Sequence, residues 1–274
     1  MTAGRLAYMR RLLPYLEDQS EDCLYLNIYA PRQVHFKSPV YVFLHGESYE
    51  WNSGNPFDGS VLAAYNSAVF VTLNYRLGVL GFFRAGATAA ANLGLLDQIA
   101  ALLWIQENVA QFGGDPNSVT LIGHGTGANL ASLLMVSPVA RKGLFHRAVL
   151  MSGTALAPDA VVSNAELVTK QVAAQLNCPL ADDEELIACL RSKDVDDLIR
   201  VQGGSIQWRE NRYLYHGKFL ENLFSGCFWV HLLPIRYVAS SATPFCGPKC
   251  IPLNGRRSLS RCTRSHSAPS STAS

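Results

Sequence analysis

The segment from residue 118 to residue 136 has the arrangement in which serine hydrolases carry their nucleophile. An apolar strand pattern at 118–122 is followed by Gly-His-Gly-Thr-Gly at 123–127, and a helical pattern begins directly afterwards. In a G-x-S-x-G elbow the central serine stands on a sharp turn between strand and helix, where its hydroxyl can attack a carbonyl. The central residue here is Gly125, which has no oxygen with which to attack. The motif therefore predicts the backbone turn of a nucleophile elbow without the serine hydroxyl that would attack the substrate.

Other residues of this motif offer no replacement for the serine. His124 precedes the central position, and we expect its ring to point away from residue 125, in a packing or hydrogen-bonding role. Thr126 has a hydroxyl, but its position is the one whose backbone N–H normally faces the oxyanion. Gly123 and Gly127 do not form a dinucleotide-binding loop, because the G-x-G-x-x-G spacing and an acidic residue about 20 positions later are both missing.

Composition limits the classes of protein that this chain can belong to. Its 274 residues are 49% hydrophobic and 16% charged, which is typical of a globular protein with a core. A net charge of +2 argues against a nucleic-acid partner. The N-terminus lacks the apolar stretch of a signal peptide, and the run at 227–233 is too short to span a bilayer. We expect the targeting elements of an exported or membrane-bound protein to lie outside this chain.

Two of the seven cysteines could close a small surface loop. Cys178 and Cys189 bracket a short stretch with a polar centre, which suits a surface loop closed by a disulfide. The alternative is two buried thiols in a reduced protein.

The hydrophobic pattern predicts an α/β fold with a mostly parallel central sheet and flanking helices. The predicted strands lie at 24–29, 40–44, 69–73, 119–122 and 148–151, and the predicted helices at 95–112, 127–136, 164–176, 182–190 and 194–201. Beyond residue 207 the periodicity is lost, and the end is rich in Ser and Arg. We therefore expect one partial domain at 1–207 and an irregular tail at 208–274, largely disordered or weakly packed, with an irregular but folded C-terminal domain as the alternative.

A set of longer motifs resembles the type B carboxylesterase and cholinesterase family over roughly residues 5–206. The motifs are SEDCLYLNIY at 20–29, HG at 45–46, NYRLGVLGF at 74–82, NLGLLDQ at 92–98 and FGGDP at 112–116. Within that family the segments at 53–60 and 152–156, together with the glycine at the centre of the elbow, are similar to neuroligins.

The resemblance implies part of an extracellular α/β-hydrolase fold that has lost hydrolysis and serves adhesion at the postsynaptic membrane. It also implies neurexins as partners, with calcium at the interface, and a homodimer. Both binding regions would lie in the half of the family domain that this chain does not show. We therefore expect no cofactor and no metal site among these residues.

The resemblance also assigns an oxyanion loop and the rest of a catalytic triad. Active relatives have His-Gly-Gly-Gly after the second strand, where this chain has Gly46 and Glu47 followed by a serine. Glu47 either brings bulk and negative charge to the oxyanion position or points away into solvent. The acid and the histidine are expected more than about 100 residues beyond the elbow, where the chain no longer resembles its relatives. The histidines in that region are His216, His231 and His266.

Three structural assignments follow from the same resemblance. Arg76 and Asp97 are expected to form a buried ion pair, and Cys178 is expected to pair with Cys189. Cys23 matches a family cysteine whose partner lies before residue 1, so we expect it to be unpaired.

The prediction is a non-catalytic, neuroligin-like domain with cell adhesion as the family role. An active carboxylesterase is the first alternative, and Gly125 argues against it. The second alternative is an incomplete product without a function of its own.

Overall fold

The strands form where the sequence is richest in apolar and β-branched residues. A computed structural model describes residues 3–32, 37–86, 91–162, 164–204 and 249–252. Its strands are β1 (Tyr25–Tyr29), β2 (Ser38–Leu44), β3 (Val69–Leu73), β4 (Gly114–His124), β5 (Arg147–Met151) and β6 (Lys249–Pro252). They make one sheet in the order β5-β4-β2-β3-β1-β6. The pairs within β5-β4-β2-β3 are parallel, and β1 is antiparallel to both of its neighbours.

Helices connect the parallel strands and cover the sheet. They are α1 (Ala3–Leu12), α2 (Ser60–Asn66), α3 (Gly78–Phe82), α4 (Leu93–Asn108), α5 (Thr126–Val136), α6 (Ala165–Gln175), α7 (Asp183–Arg191) and α8 (Val195–Gly204). The predicted fold class, a partial α/β-hydrolase fold with a mostly parallel sheet and flanking helices, is confirmed.

The five strands and five helices predicted from periodicity are confirmed, with ends shifted by a few residues. β4 is longer than predicted, because its first residues continue the ladder with β2 at Ser38. The short helices α1 to α3 were not predicted. In α3 the glycines Gly78 and Gly81 give little helical signal.

Side-chain caps define where two of the helices begin. At α7 the carboxylate of Asp182 accepts hydrogen bonds from the backbone N–H groups of Glu184 and Glu185, both at 2.9 Å. At α6 the side-chain oxygen of Asn164 accepts from the N–H of Leu167 at 3.4 Å. Such caps accept hydrogen bonds from the first N–H groups of a helix, which have no partner within the helix. The two helices predicted to begin at 164 and 182 therefore begin at their cap residues.

Three hydrophobic clusters lie in the described part of the chain. The first joins the sheet to α4, whose Leu102 and Ile105 are fully buried. The second joins α6, α7 and α8 and includes the fully buried Leu186. The third packs Ala63 of α2 with aromatic side chains of the sheet, namely Tyr29, Phe43 and Phe70. The second cluster draws most of its residues from the helices predicted at 164–176, 182–190 and 194–201.

The predicted irregular tail at 208–274 lies outside the described residues, apart from β6. That strand pairs with β1, with Pro252 opposite Tyr25 and Lys249 opposite Ile28. For the rest of this region the predicted tail stays a prediction. Among the helices that the structure describes, none combines the length and the apolar character needed to cross a bilayer.

Candidate functional site

The elbow joins β4 to α5 through a single residue, Gly125. Its backbone has φ 57° and ψ −123°, a combination that residues with a Cβ rarely adopt. A Cβ added to Gly125 would meet no atom within 4 Å. The turn thus has the sharp conformation of a nucleophile elbow and room for a side chain, and it carries none.

The glycines on either side of the elbow allow close backbone packing. A Cβ on Gly123 would lie 2.3 Å from the carbonyl oxygen of Gly127, and a Cβ on Gly127 would lie 2.1 Å from that of Leu44. Both contacts are with main chain, which cannot move aside as a side chain can. These glycines let α5 approach the ends of β4 and β2.

Two further glycines bring other loops against the elbow. A Cβ on Gly46 would lie 2.3 Å from the carbonyl oxygen of His124, and a Cβ on Gly153 would lie 2.2 Å from that of Gly125. The N–H of Gly125 donates to the carbonyl oxygen of Met151 at 2.8 Å. The elbow is therefore held between the segment after β2 and the segment after β5.

The loop after β2 has an unusual backbone. Glu47, Ser48 and Tyr49 follow one another with φ of 97°, 59° and 62°. Non-glycine residues adopt positive φ rarely, at a cost of about 1–3 kcal/mol each. The loop therefore has the left-handed conformation that glycines adopt without strain, although its sequence after Gly46 has no glycine.

Glu47 is half-buried and contacts the first helix. Its carboxylate oxygen accepts a hydrogen bond from the hydroxyl of Tyr8 in α1 at 3.3 Å. This contact places one carboxylate oxygen against α1, and both interpretations of Glu47 from the sequence stay predictions. The loop is thus joined to the N-terminal helix through a glutamate.

His45 lies at the end of β2 and is buried. Its ring stacks on that of Tyr75, with centroids 4.4 Å apart, and the Tyr75 hydroxyl donates to the His45 carbonyl oxygen at 2.6 Å. The ring nitrogen Nε2 has no hydrogen-bond partner among the residues described. Burial lowers the pKa of His45 to about 4, so the ring is neutral at physiological pH.

His124 and Thr126, the two residues beside Gly125, differ in exposure. His124 is exposed at the end of β4. Thr126 is 9% exposed, and its hydroxyl oxygen is buried without a hydrogen-bond partner among the described residues.

The remaining triad candidates cannot be placed beside the elbow. His216, His231 and His266 lie outside the described residues. In the described ranges no group of three or more His, Cys, Asp or Glu side chains could hold a metal ion.

Arg76 and Asp97 contact each other as an ion pair. The Asp97 carboxylate accepts from Arg76 Nη2 at 2.7 Å, from Nε at 2.8 Å and from the Arg76 backbone N–H at 3.0 Å. The Asp97 side chain is 5% exposed, but that of Arg76 is 37% exposed. The expected ion pair is thus formed, with its carboxylate buried and its guanidinium in part solvated.

The cysteines that the structure describes in detail fall into two states. Cys178 and Cys189 form a disulfide with an Sγ–Sγ distance of 2.02 Å. Cys23 is a free, half-buried thiol. Burial raises the pKa of the Cys23 thiol, and the negative charge of Asp97 adds to this effect.

Two residues that position the loops of this site were not predicted. The side-chain oxygen of Asn129, in α5, accepts from the N–H of Thr154 at 2.8 Å. The hydroxyl of Tyr49 donates to the carbonyl oxygen of Ala160 at 3.3 Å. The sequence signal for Asn129 is a polar side chain within an apolar helix pattern. The contact of Tyr49 with Ala160 spans 111 positions, so no local pattern indicates it.

Comparison with known proteins assigns a family to this arrangement. A model of the carboxylesterase family matches residues 4–241. Neuroligin-2 from Mus musculus is 45% identical over 207 residues, which cover 68% of this chain and 25% of the mouse protein. Neuroligin-1 from Caenorhabditis elegans is 46% identical over 185 residues, covering 65% of this chain and 23% of that protein.

An esterase matches to a similar degree. Human cocaine esterase is 44% identical over 188 residues, which cover 68% of this chain and 34% of the enzyme. The chain thus spans about a quarter to a third of the length of these relatives. Because the family model covers most of the chain, including strands β1 to β5 and the elbow, this chain belongs to the carboxylesterase family.

Proposed function

We propose that this chain is part of a non-catalytic, cholinesterase-like adhesion domain of neuroligin type. The observation that carries the proposal is Gly125, where the elbow has its sharp backbone turn but no side chain. A nucleophilic oxygen is required for acyl transfer by this type of site, and none stands at this position.

The loop after β2 supports the same conclusion. An oxyanion hole needs backbone N–H groups that face the developing negative charge. Glu47 lies in that loop with a carboxylate held by Tyr8. An ionised carboxylate near the oxyanion position would oppose the charge that a hydrolase must stabilise.

Adhesion is the role that we propose for the longer protein. Its partner would be a neurexin-like cell-surface protein, and it would form a homodimer at the postsynaptic membrane. Support comes from the similarity to two neuroligins and from the Cys178–Cys189 disulfide, which suits a protein that folds in the secretory route. The partner and dimer surfaces are expected outside the segment that this chain shares with its relatives.

An ester-hydrolysis assay tests the proposal. The purified 274-residue chain would be incubated with a short-chain aryl ester and with an organophosphate that labels activated serines, beside human cocaine esterase as positive control. We expect no turnover above a heat-treated sample and no stoichiometric label. Turnover or labelling of the wild-type chain would contradict the proposal.

The Gly125→Ser variant serves as a second test. Serine alone should not restore activity, because no acid and histidine have been identified for it. Organophosphate labelling of this variant would show that the remaining triad is present, which would favour the esterase alternative.

A further inference from the structure

β5 lies at one end of the sheet and has a single neighbour among the described strands. Its Cα pairs run from Arg147 opposite Thr120 to Met151 opposite His124, all of them with β4. In a strand with one neighbour, backbone N–H and C=O groups also face the open side. Arg147 is exposed and the other four residues of β5 are half-buried. Among the described residues, β5 is therefore an edge to which a further strand can be added.

The sequence of β5 has few of the features that prevent strand pairing. Protected edge strands carry proline, several charges or a bulge that turns the edge away. β5 reads Arg-Ala-Val-Leu-Met, with one charged residue, at its first position, and no proline. Its register with β4 runs residue by residue from Arg147 to Met151. The backbone of β5 thus stays open to an extended segment.

The surface beside the start of β5 is cationic. Arg141 and Lys142 are exposed in the turn before β5, and Arg147 is exposed at its first residue. In the described ranges none of the three forms a salt bridge, and Arg147 Nη1 donates to the neutral hydroxyl of Ser118 at 3.4 Å. The sequence at 116–158 contains no Asp or Glu, so α5, β5 and the turn between them supply no negative charge.

These charges distinguish between two occupants of the edge. If β5 paired with β5 of a second copy, each copy would bring Arg141, Lys142 and Arg147 to the seam, and no carboxylate would lie between them. An extended segment with acidic side chains would instead place negative charge beside these cations. Charge complementarity therefore favours an acidic partner over a second copy of the chain.

We propose that the β5 edge docks an extended acidic segment of a partner protein, which joins the sheet as a further strand. Main-chain hydrogen bonds to β5 supply the pairing, and the cations beside Arg147 select carboxylates. Ala148 and Leu150 pack against the first hydrophobic cluster and Met151 against the third, so apolar side chains of the added strand meet apolar neighbours on both faces. The site does not use the elbow and does not depend on the loss of hydrolysis.

The probe for a test is a short, fluorescently labelled peptide of alternating glutamate and valine. One comparison peptide has lysine in place of glutamate, and another keeps the glutamates but is methylated at its backbone nitrogens, which removes the donors and keeps the charge. Binding to the 274-residue chain is measured by fluorescence anisotropy. We expect the glutamate peptide to bind, and both comparison peptides to bind at least tenfold more weakly.

Three outcomes of this experiment would overturn the proposal. The first is no binding of the glutamate peptide, as when another part of the chain occupies this edge. The second is equal binding of the methylated peptide, which would show attraction between charges without strand addition. The third is a dimer of the chain, detected by sedimentation, that the glutamate peptide dissociates, because a second copy would then be the occupant.

Charge-reversal variants locate the bound peptide. The double variant Arg141→Glu with Arg147→Glu should weaken binding of the glutamate peptide at least tenfold and strengthen binding of the lysine peptide. A variant that fails to fold would bind neither peptide, so the exchange of preference separates a lost site from a lost fold. Arg191→Glu reverses an exposed charge at the end of α7 and should leave both affinities unchanged. An unchanged preference in the double variant would refute the assignment to β5.

Discussion

Replacing Gly125 with alanine tests whether the elbow is strained. At φ 57° and ψ −123° a residue with a Cβ is held in a backbone region that such residues rarely populate. The added Cβ itself would meet no atom within 4 Å. The destabilisation should therefore come from backbone conformation alone and not from a steric clash.

Backbone strain alone therefore sets the expected loss of stability in Gly125→Ala. Strained backbone positions cost about 1–3 kcal/mol each, so Gly125→Ala should lower the free energy of unfolding by about that amount. For a folded region of about 200 residues, each kcal/mol corresponds to a change in Tm of about 2–4 °C. We therefore expect a fall in Tm of about 2–12 °C.

Two other glycines provide matched controls in the same thermal-unfolding assay. Gly4 lies in α1 with nothing within 4 Å of an added Cβ and no positive φ, so Gly4→Ala should leave Tm unchanged or raise it slightly. In Gly153→Ala the Cβ would lie 2.2 Å from the Gly125 carbonyl oxygen, so the loss should exceed that of Gly125→Ala. If Gly125→Ala is as stable as the wild-type chain, the elbow backbone does not have this conformation and the interpretation of the site is wrong.

Three further predictions concern an ion pair, a disulfide and a buried histidine. Asp97→Asn should lower the free energy of unfolding by about 2–4 kcal/mol in urea denaturation, somewhat less than a fully buried pair would lose, because Arg76 is in part solvated. Replacing both Cys178 and Cys189 with serine should lower it by roughly 3 kcal/mol in the same experiment, because the disulfide closes a short loop. Because the folded-state pKa of His45 is about 4 against 6.5 in a model peptide, stability should be full above pH 6.5 and fall by about 3 kcal/mol as the pH drops to 4, in urea titrations across that range.

Each of these predictions has its own control. Asp197→Asn removes an exposed ion pair with Arg200 and should change stability by less than about 1 kcal/mol, so an equal effect at Asp97 would contradict the role of burial. Peptide mapping without reduction should find the Cys178–Cys189 link, and two free thiols would reject it. His45→Phe should reduce the fall in stability between pH 6.5 and pH 4, and an unchanged pH dependence in this variant would contradict the assignment to His45.

Much of the fold could be predicted because its signals are local. The apolar run of β3 predicts a strand buried on both faces, and all five of its residues are buried. Asp182 predicts the start of α7 because its side chain caps the N–H groups that follow it. The pairing of β6 with β1 joins residues more than two hundred positions apart, and no local pattern could indicate it.

Some features of the candidate site could likewise be predicted from the sequence, and others could not. Gly125 and its flanking glycines were predicted because the elbow motif is contiguous in the sequence. The contact of Glu47 with Tyr8 spans 39 positions, and it depends on where α1 lies against the loop. The solvation of Arg76 likewise depends on neighbours that only the folded chain brings together. The predicted boundary at residue 207 stays a prediction.

The contacts made by Gly46 and Gly153 have a consequence for how the elbow folds. The two glycines pack backbone against backbone on His124 and Gly125, so segments about 80 and 30 positions away must arrive before the turn is complete. Closing such long loops is slow, because the chain loses entropy before the new contacts stabilise it. We therefore expect the elbow to form late and all at once, when the register of β2, β4 and β5 is already set. If these strands pair in the wrong register, the elbow cannot form and folding stops at that stage.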